Sequence, residues 1–150
     1  MKVVIQRVSE ASVQIGGVQT ESIKQGYVLL LGYEIEDNNE DITWMTSKII
    51  NLRLFSDENN LMNLSIKDIE GEILCISQFT LHARTKKGNR PSFIQAAKPE
   101  ISVPLYENTI VEFEKLLPSK IRTGQFGADM KVSLINDGPV TIIIDSKNKQ

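Results

Sequence analysis

The sequence predicts an α+β fold: a single compact domain with a mostly antiparallel, barrel-like sheet and two main helices. Three observations lead there. β-rich stretches bounded by turn residues occupy both ends of the chain, two amphipathic segments carry helical spacing, and strands and helices lack the regular alternation of a doubly wound sheet. One core is expected from 150 residues with 41% apolar side chains, since a domain of this size buries roughly 68 to 70% of its unfolded surface. The lone cysteine, Cys75, cannot form an internal disulfide, and a lone histidine, His82, leaves no zinc constellation of the Cys/His type.

Val3 to Val8, Val13 to Ile15 and Val18 to Thr20 are rich in β-branched residues, and Gly16-Gly17 suits a tight hairpin between the last two. Tyr27 to Leu31 is continuously apolar between Gly26 and Gly32, as a strand covered on both faces should be. Asp37-Asn38-Asn39 offers helix caps before Ile42, Met45, Ile49 and Leu52, which recur at helical spacing behind an acidic first turn. Leu52 to Phe55 reads as a strand ending in a Ser56 to Asn60 turn, and Glu72 to Phe79 as another. Pro104 is placed in the first turn of a second helix carrying Tyr106, Ile110, Phe113 and Leu117, with Pro118 ending it. Met130 to Ile135 and Val140 to Ile144, separated by Asn136-Asp137-Gly138-Pro139, suggest a final hairpin, and Ser146 to Gln150 a frayed tail. The whole chain, 1–150, is expected to form one domain.

Charge and motif content narrow the function. Seventeen basic and 19 acidic residues give a net charge of −2, so the molecule is not a polycation and any RNA contact must be local. One region is suited to it: from Ile73 to Pro99 there is no Asp or Glu, but Arg84, Lys86, Lys87, Arg90 and Lys98 give +5. No signal-peptide core and no apolar run near the roughly 20 residues that span a bilayer occur, so a cytoplasmic protein with a reduced thiol and no membrane partner is expected. Walker, dinucleotide-binding, HExxH and GxSxG motifs are absent. His82 lacks a neighbour that would orient it for catalysis and is expected to be an exposed loop histidine; Cys75, with apolar flanks, is expected to be buried and inert.

Two segments stand out: Ser77-Gln78-Phe79-Thr80-Leu81, where a strand runs into the basic loop, and Asn136-Asp137-Gly138-Pro139-Val140-Thr141. Each alone has a structural explanation, a polar strand end and a turn. Together with Val4-Ile5-Gln6-Arg7-Val8, Arg90-Pro91-Ser92-Phe93 and Phe126-Gly127-Ala128-Asp129-Met130, in this order, they make the chain resemble the D-aminoacyl-tRNA deacylase family from end to end.

The resemblance implies a homodimeric hydrolase that removes D-amino acids, and glycine, from the 3′ end of mischarged tRNA without a cofactor or metal. It implies that Gly138-Pro139 has a cis peptide bond, enters the partner subunit's active site and acts as a chiral filter. Two carbonyls would hold the substrate's α-ammonium so that an L side chain meets the wall and a D side chain points outward. Ser77, Gln78, Phe79 and Thr80 would form the reaction pocket, while Arg7 and Met130 would join Gly138 and Pro139 in substrate binding. Arg7 would brace the turn, against the plainer reading of a surface arginine on an edge strand.

Backbone amides near Phe79 and Thr80 suit an oxyanion. Thr80 is the family's candidate nucleophile, but it lacks an evident base, which favours assistance by the substrate's 2′-hydroxyl. Arg84, Lys86, Lys87 and Arg90 would meet acceptor-stem phosphates. Three alternatives stay open on sequence alone: a catalytically silent RNA-binding module, a structural homodimer, and an editing domain for an L-amino acid.

Overall fold

A computed structural model describes residues 1–149. Strand β1 (Lys2–Ile15) organises the sheet. One edge of it pairs antiparallel with β8 (Met130–Asp145) from end to end; the other pairs first with β3 (Gly26–Gly32) and then, beyond the Gly16-Gly17 turn, with β2 (Val18–Ile23). From β3 the sheet continues through parallel ladders to β6 (Glu72–Ser77) and β7 (Ile121–Thr123). The sheet is therefore mixed and barrel-like, and a short ribbon of β4 (Phe55–Ser56) and β5 (Met62–Leu64) lies outside it.

The curvature follows from where β1 sends its apolar side chains. Val3 and Ile5 belong to a core shared with helices α1 (Asn39–Asn51) and α2 (Pro99–Leu116), whereas Val8, Ala11 and Val13 belong to a second core with Val28, Leu74 and Ile76. Between Val8 and Glu10 the register with β8 slips by one residue, and this bulge keeps Val8, Ala11 and Val13 on one face. Strand β3 feeds both cores, with Tyr27, Leu29 and Leu31 toward the helices and Val28 behind, in agreement with its uninterrupted apolar run. Helix α1 starts at a capping box: Asn38 Oδ1 accepts from the Glu40 amide at 2.8 Å, and Asp41 Oδ2 from the Asn38 amide at 3.0 Å.

The structure corrects several sequence expectations. Met130–Asp145 is one strand and not a hairpin, because both halves pair with β1. Between the Gln6/Thr141 and Val8/Asn136 pairs, β1 advances through Arg7 alone while β8 inserts Asp137, Gly138, Pro139 and Val140. Helix α2 begins at Pro99, which occupies the preferred first position, and Pro104 sits inside the helix at an exposed site. Strand β6 stops at Ser77, and Phe79–His82 forms one 3-10 turn. Leu52 caps α1, so of Leu52 to Phe55 only Phe55 enters a strand. His82 is buried and not exposed, its ring lying against Gly32. The expected frayed tail is tied down as far as Lys149, whose Nζ lies 4.5 Å from the Trp44 ring centroid. The Ser146 amide donates to the Met1 carbonyl at 2.9 Å and Lys147 Nζ donates to Asp41 at 2.8 Å; Gln150 lies outside the described residues.

Gly26 is where β3 comes closest to β6. A Cβ there would be driven into the Glu72 carbonyl and lie 2.7 Å from the Glu72 nitrogen. Gly26→Ala is therefore expected to destabilise the fold by about 3 kcal/mol or more, in the range of severe backbone and packing clashes, read as a lower urea midpoint.

Candidate active site

The site begins where the parallel ladder ends. Leu31 and Ser77 are the last pair of β3 and β6, and the Gln78 amide then donates to the Leu31 carbonyl at 2.7 Å. The chain next turns, and the first 3-10 bonds run from Leu81 N to Gln78 O (3.3 Å) and from Ala83 N to Thr80 O (3.0 Å). The Phe79 and Thr80 amides precede these bonds and have no acceptor among the described residues. Gln78 Nε2 donates to Thr80 Oγ1 at 2.5 Å, which fixes the hydroxyl beside the two amides.

Ser77, Gln78 and Phe79 line a cleft of about 320 Å³, whose opposite wall is Phe126 to Met130. Two of the segments singled out in sequence, far apart in the chain, thus meet at the carboxyl ends of β3, β6 and β7. Thr80 lies on the same turn but is not part of the cleft wall. Sequence reading missed Tyr33 and Ser102, which also line it. Ser102 was hidden by placing the start of α2 at Pro104; Pro99 followed by the acidic Glu100 was the available signal.

Helix α2 supports this wall. Tyr106 Oη donates to the Cys75 carbonyl at 3.1 Å, and its ring meets Phe126 edge to face at 5.6 Å. Tyr33 Oη and Thr109 Oγ1 are hydrogen-bonded at 2.9 Å. Burial pushes the Tyr33 and Tyr106 phenols, and the Cys75 thiol, well above their ordinary values. None of the three is a proton-transfer group near neutral pH. The Asp129 side chain is 95% exposed and turned toward Lys131. His82 has an unpartnered Nε2 but is not part of the cleft wall.

The Gly138-Pro139 bond is cis, and both residues are exposed, outside the cleft of their own chain. Arg7, by contrast, is buried on an inner strand. Its Nε donates to the Asp137 carbonyl at 3.0 Å and lies 3.6 Å from the Asp137 carboxylate, while Nη1 donates to the Leu54 carbonyl. Met130 is half-buried in the cleft wall. Arg84, Lys86, Lys87 and Arg90 are all exposed, and none forms an ion pair among the described residues. Their loop is closed by mutual backbone bonds between Arg84 and Ser92 (2.8 and 3.0 Å) and joined to the site by an edge-to-face contact of Phe79 and Phe93 at 5.1 Å.

These features define a single-domain α+β protein of the barrel-like class, with its cleft at the carboxyl ends of parallel strands. Within that class the chain belongs to the D-Tyr-tRNA(Tyr) deacylase family, whose model matches residues 4–145. It is 64% identical to the D-aminoacyl-tRNA deacylase of Flavobacterium psychrophilum and 61% identical to that of Bacteroides fragilis, in both cases over 100% of each chain. Among solved structures it is similar to the c-Myc DNA Unwinding Element Binding Protein, with 43% identity, a TM-score of 0.92, and coverage of 97% of this chain and 98% of that one. A probable eukaryotic D-amino acid tRNA deacylase, at 15% identity, shares the fold with a TM-score of 0.82 over 95% of this chain and 97% of that one.

Arg7→Gln tests how the Asp137–Val140 insertion is held. Losing a charged donor to two carbonyls is expected to cost about 1.5 to 3 kcal/mol, read by chemical denaturation, with faster amide hydrogen exchange at residues 136–141.

Proposed function

We propose that this protein is a D-aminoacyl-tRNA deacylase. It hydrolyses the ester joining a D-amino acid, or glycine, to the 3′-terminal adenosine of mischarged tRNA, and it rejects the L-aminoacyl ester through a Gly138-cisPro139 chiral filter. The observation that carries this reading is the pair of unpartnered amides, Phe79 and Thr80, on the turn that begins at the cleft wall of Ser77, Gln78 and Phe79. Family membership and the full-length relatives named D-aminoacyl-tRNA deacylase give the substrate class. No helix among the described residues is long and apolar enough to cross a membrane, and the proposed site of action is the cytoplasm, where charged tRNA is found.

In the reaction, water adds to the ester carbonyl carbon and the carbonyl oxygen becomes an oxyanion received by the two amides. Collapse breaks the bond to the 3′ oxygen, which takes up the proton released from water, leaving a free amino acid and a tRNA with its 3′-hydroxyl restored. Each well-aimed donor to such an oxyanion is worth about 2.7 to 4 kcal/mol. The Thr80 hydroxyl has no basic neighbour to activate it and accepts a hydrogen bond from Gln78. Thr80 therefore shapes the site, and the adenosine 2′-hydroxyl positions the attacking water.

The working unit is a homodimer. Gly138-Pro139 stands exposed on β8, away from its own cleft, and Arg7 clasps the insertion that carries it. In the partner's cleft its carbonyls hold the α-ammonium, so that only hydrogen or a D substituent fits. Arg84, Lys86, Lys87 and Arg90 contact phosphates of the acceptor stem, which positions the RNA without reading its sequence.

Matched D-, L- and glycyl-tRNAs test the reading. The wild type is expected to release D-amino acids and glycine and to spare L-amino acids; equal turnover of D- and L-esters overturns the filter. Thr80→Ala is expected to keep turnover within about tenfold of wild type, the scale of a neutral hydrogen bond, whereas complete loss with tRNA binding intact would make Thr80 the nucleophile. At Gly138, where φ is +124°, a methyl would lie 2.9 Å from Arg7 Nη2 and 3.0 Å from Val140 Cγ2. Gly138→Ala is therefore expected to lower D- and glycyl-tRNA turnover by about tenfold or more, as strain of about 1 to 3 kcal/mol displaces the turn.

A further inference from the structure

We propose that Phe93 is a stacking platform for the unpaired nucleotide immediately 5′ of the esterified terminal adenosine. The inference rests on the deacylase reading and adds a subsite to it. Phe93 is 37% exposed, Phe79 55% and Ile94 74%, so the fold leaves an apolar patch outside the core. It lies between the cleft, which Phe79 lines, and the basic loop, which Ser92 closes.

Phe93 is also held in place. The preceding residue, Ser92, exchanges both backbone bonds with Arg84, and the Phe93 carbonyl accepts from the Ala96 amide at 3.0 Å. The two phenylalanine rings meet at 72°, edge to face, and Phe93 keeps 37% of its surface exposed beside that contact. A ring fixed by its backbone can receive a flat partner with little loss of conformational freedom.

The charge around the patch selects the partner. Arg84, Lys86, Lys87 and Arg90 surround the loop without an ion-pair partner among the described residues, so a ligand that is both flat and anionic fits better than an apolar protein surface. A single-stranded nucleotide has both properties, combining a π face with a phosphate. On the deacylase reading the terminal ester sits at the Phe79 and Thr80 amides and the stem phosphates at the basic loop, and Phe93, whose ring meets Phe79 at 5.1 Å, lies between them, where the proposal places the nucleotide 5′ of the terminal adenosine.

The test compares two minimal D-tyrosyl esters, one of adenosine and one of cytidylyl-adenosine, with wild type, Phe93→Leu and Phe93→Trp. For the wild type, KM for the dinucleotide ester is expected to be about tenfold below that for the mononucleotide ester, the scale of one stacked base. Phe93→Leu, which keeps the apolar bulk and removes the π face, is expected to bring that ratio to within about twofold with kcat unchanged, and Phe93→Trp to restore it. The wild-type ratio is expected to persist at raised salt, unlike a gain from phosphate contacts. A ratio that survives Phe93→Leu, an equal rise in KM for both esters, or a change of particle mass in Phe93→Leu overturns the proposal, the last by making the patch a subunit interface. A wild type inert on both esters and on D-tyrosyl-tRNA is a separate result, in which the deacylase reading falls and takes the platform with it.

Discussion

Everything in the cleft depends on where β6 stops. The buried run Ile73-Leu74-Cys75-Ile76 locks this strand in parallel to β3, and the Gln78 amide takes the Leu31 carbonyl as its last ladder partner. Had the strand continued, the Phe79 amide would have been directed into sheet pairing. Because the chain turns at that point, two amides are left pointing away from any acceptor among the described residues. Both residues are exposed, so these donors stay accessible to solvent or to a ligand at little cost. The site is thus an orderly termination of the sheet and not a feature added to it.

Arg7 plays the matching part at the other end of the proposed machinery. A guanidinium on an inner strand, opposite Tyr27 in the β1/β3 ladder, is expensive to desolvate unless its donors are used. Here they reach two carbonyls and stand near one carboxylate, and in doing so they join β1 to the approach to β4 and to the insertion in β8. Tyr27, stacked on Phe55 at 5.1 Å, walls off the same region. An exposed turn can therefore have a fixed position, because the charge that grips it is buried in the domain beneath.

Much of this was legible in the sequence because it depends on local patterns. The apolar run of β3, the Asn38 cap of α1 and the Gly16-Gly17 turn follow from neighbours in the chain, and the family resemblance rested in part on two segments, Ser77 to Leu81 and Phe126 to Met130, whose residues meet in one cleft. What was not legible depended on distant partners. Asn136 to Pro139 has the composition of a hairpin turn, and only the long edge of β1 converts it into an insertion within one strand. His82 looked like a loop residue because the packing of the 3-10 turn against Gly32 is tertiary. Pro104 read as a helix start because an interior proline is normally costly, yet the exposed position lets α2 run through it, and the mistaken start concealed Ser102.

The inventory of proton-transfer groups bears on where the proposed rate acceleration arises. Tyr33 in the cleft wall and Tyr106 and Cys75 behind it have their ionised forms disfavoured by burial, and the Thr80 hydroxyl already accepts a hydrogen bond. That leaves electrostatics and placement. An aminoacyl ester is a reactive bond to begin with, so two preorganised donors, each worth about 2.7 to 4 kcal/mol, supply a large share of what hydrolysis requires. Such a site is blind to the side chain, since it acts only on the ester carbonyl. Discrimination must then come from a separate element that senses the α-carbon, and on the proposed reading the Gly138-Pro139 turn of the partner subunit is that element. Dividing the work this way lets one pocket serve many amino acids: the donors accelerate any ester admitted to them, and admission depends on handedness alone.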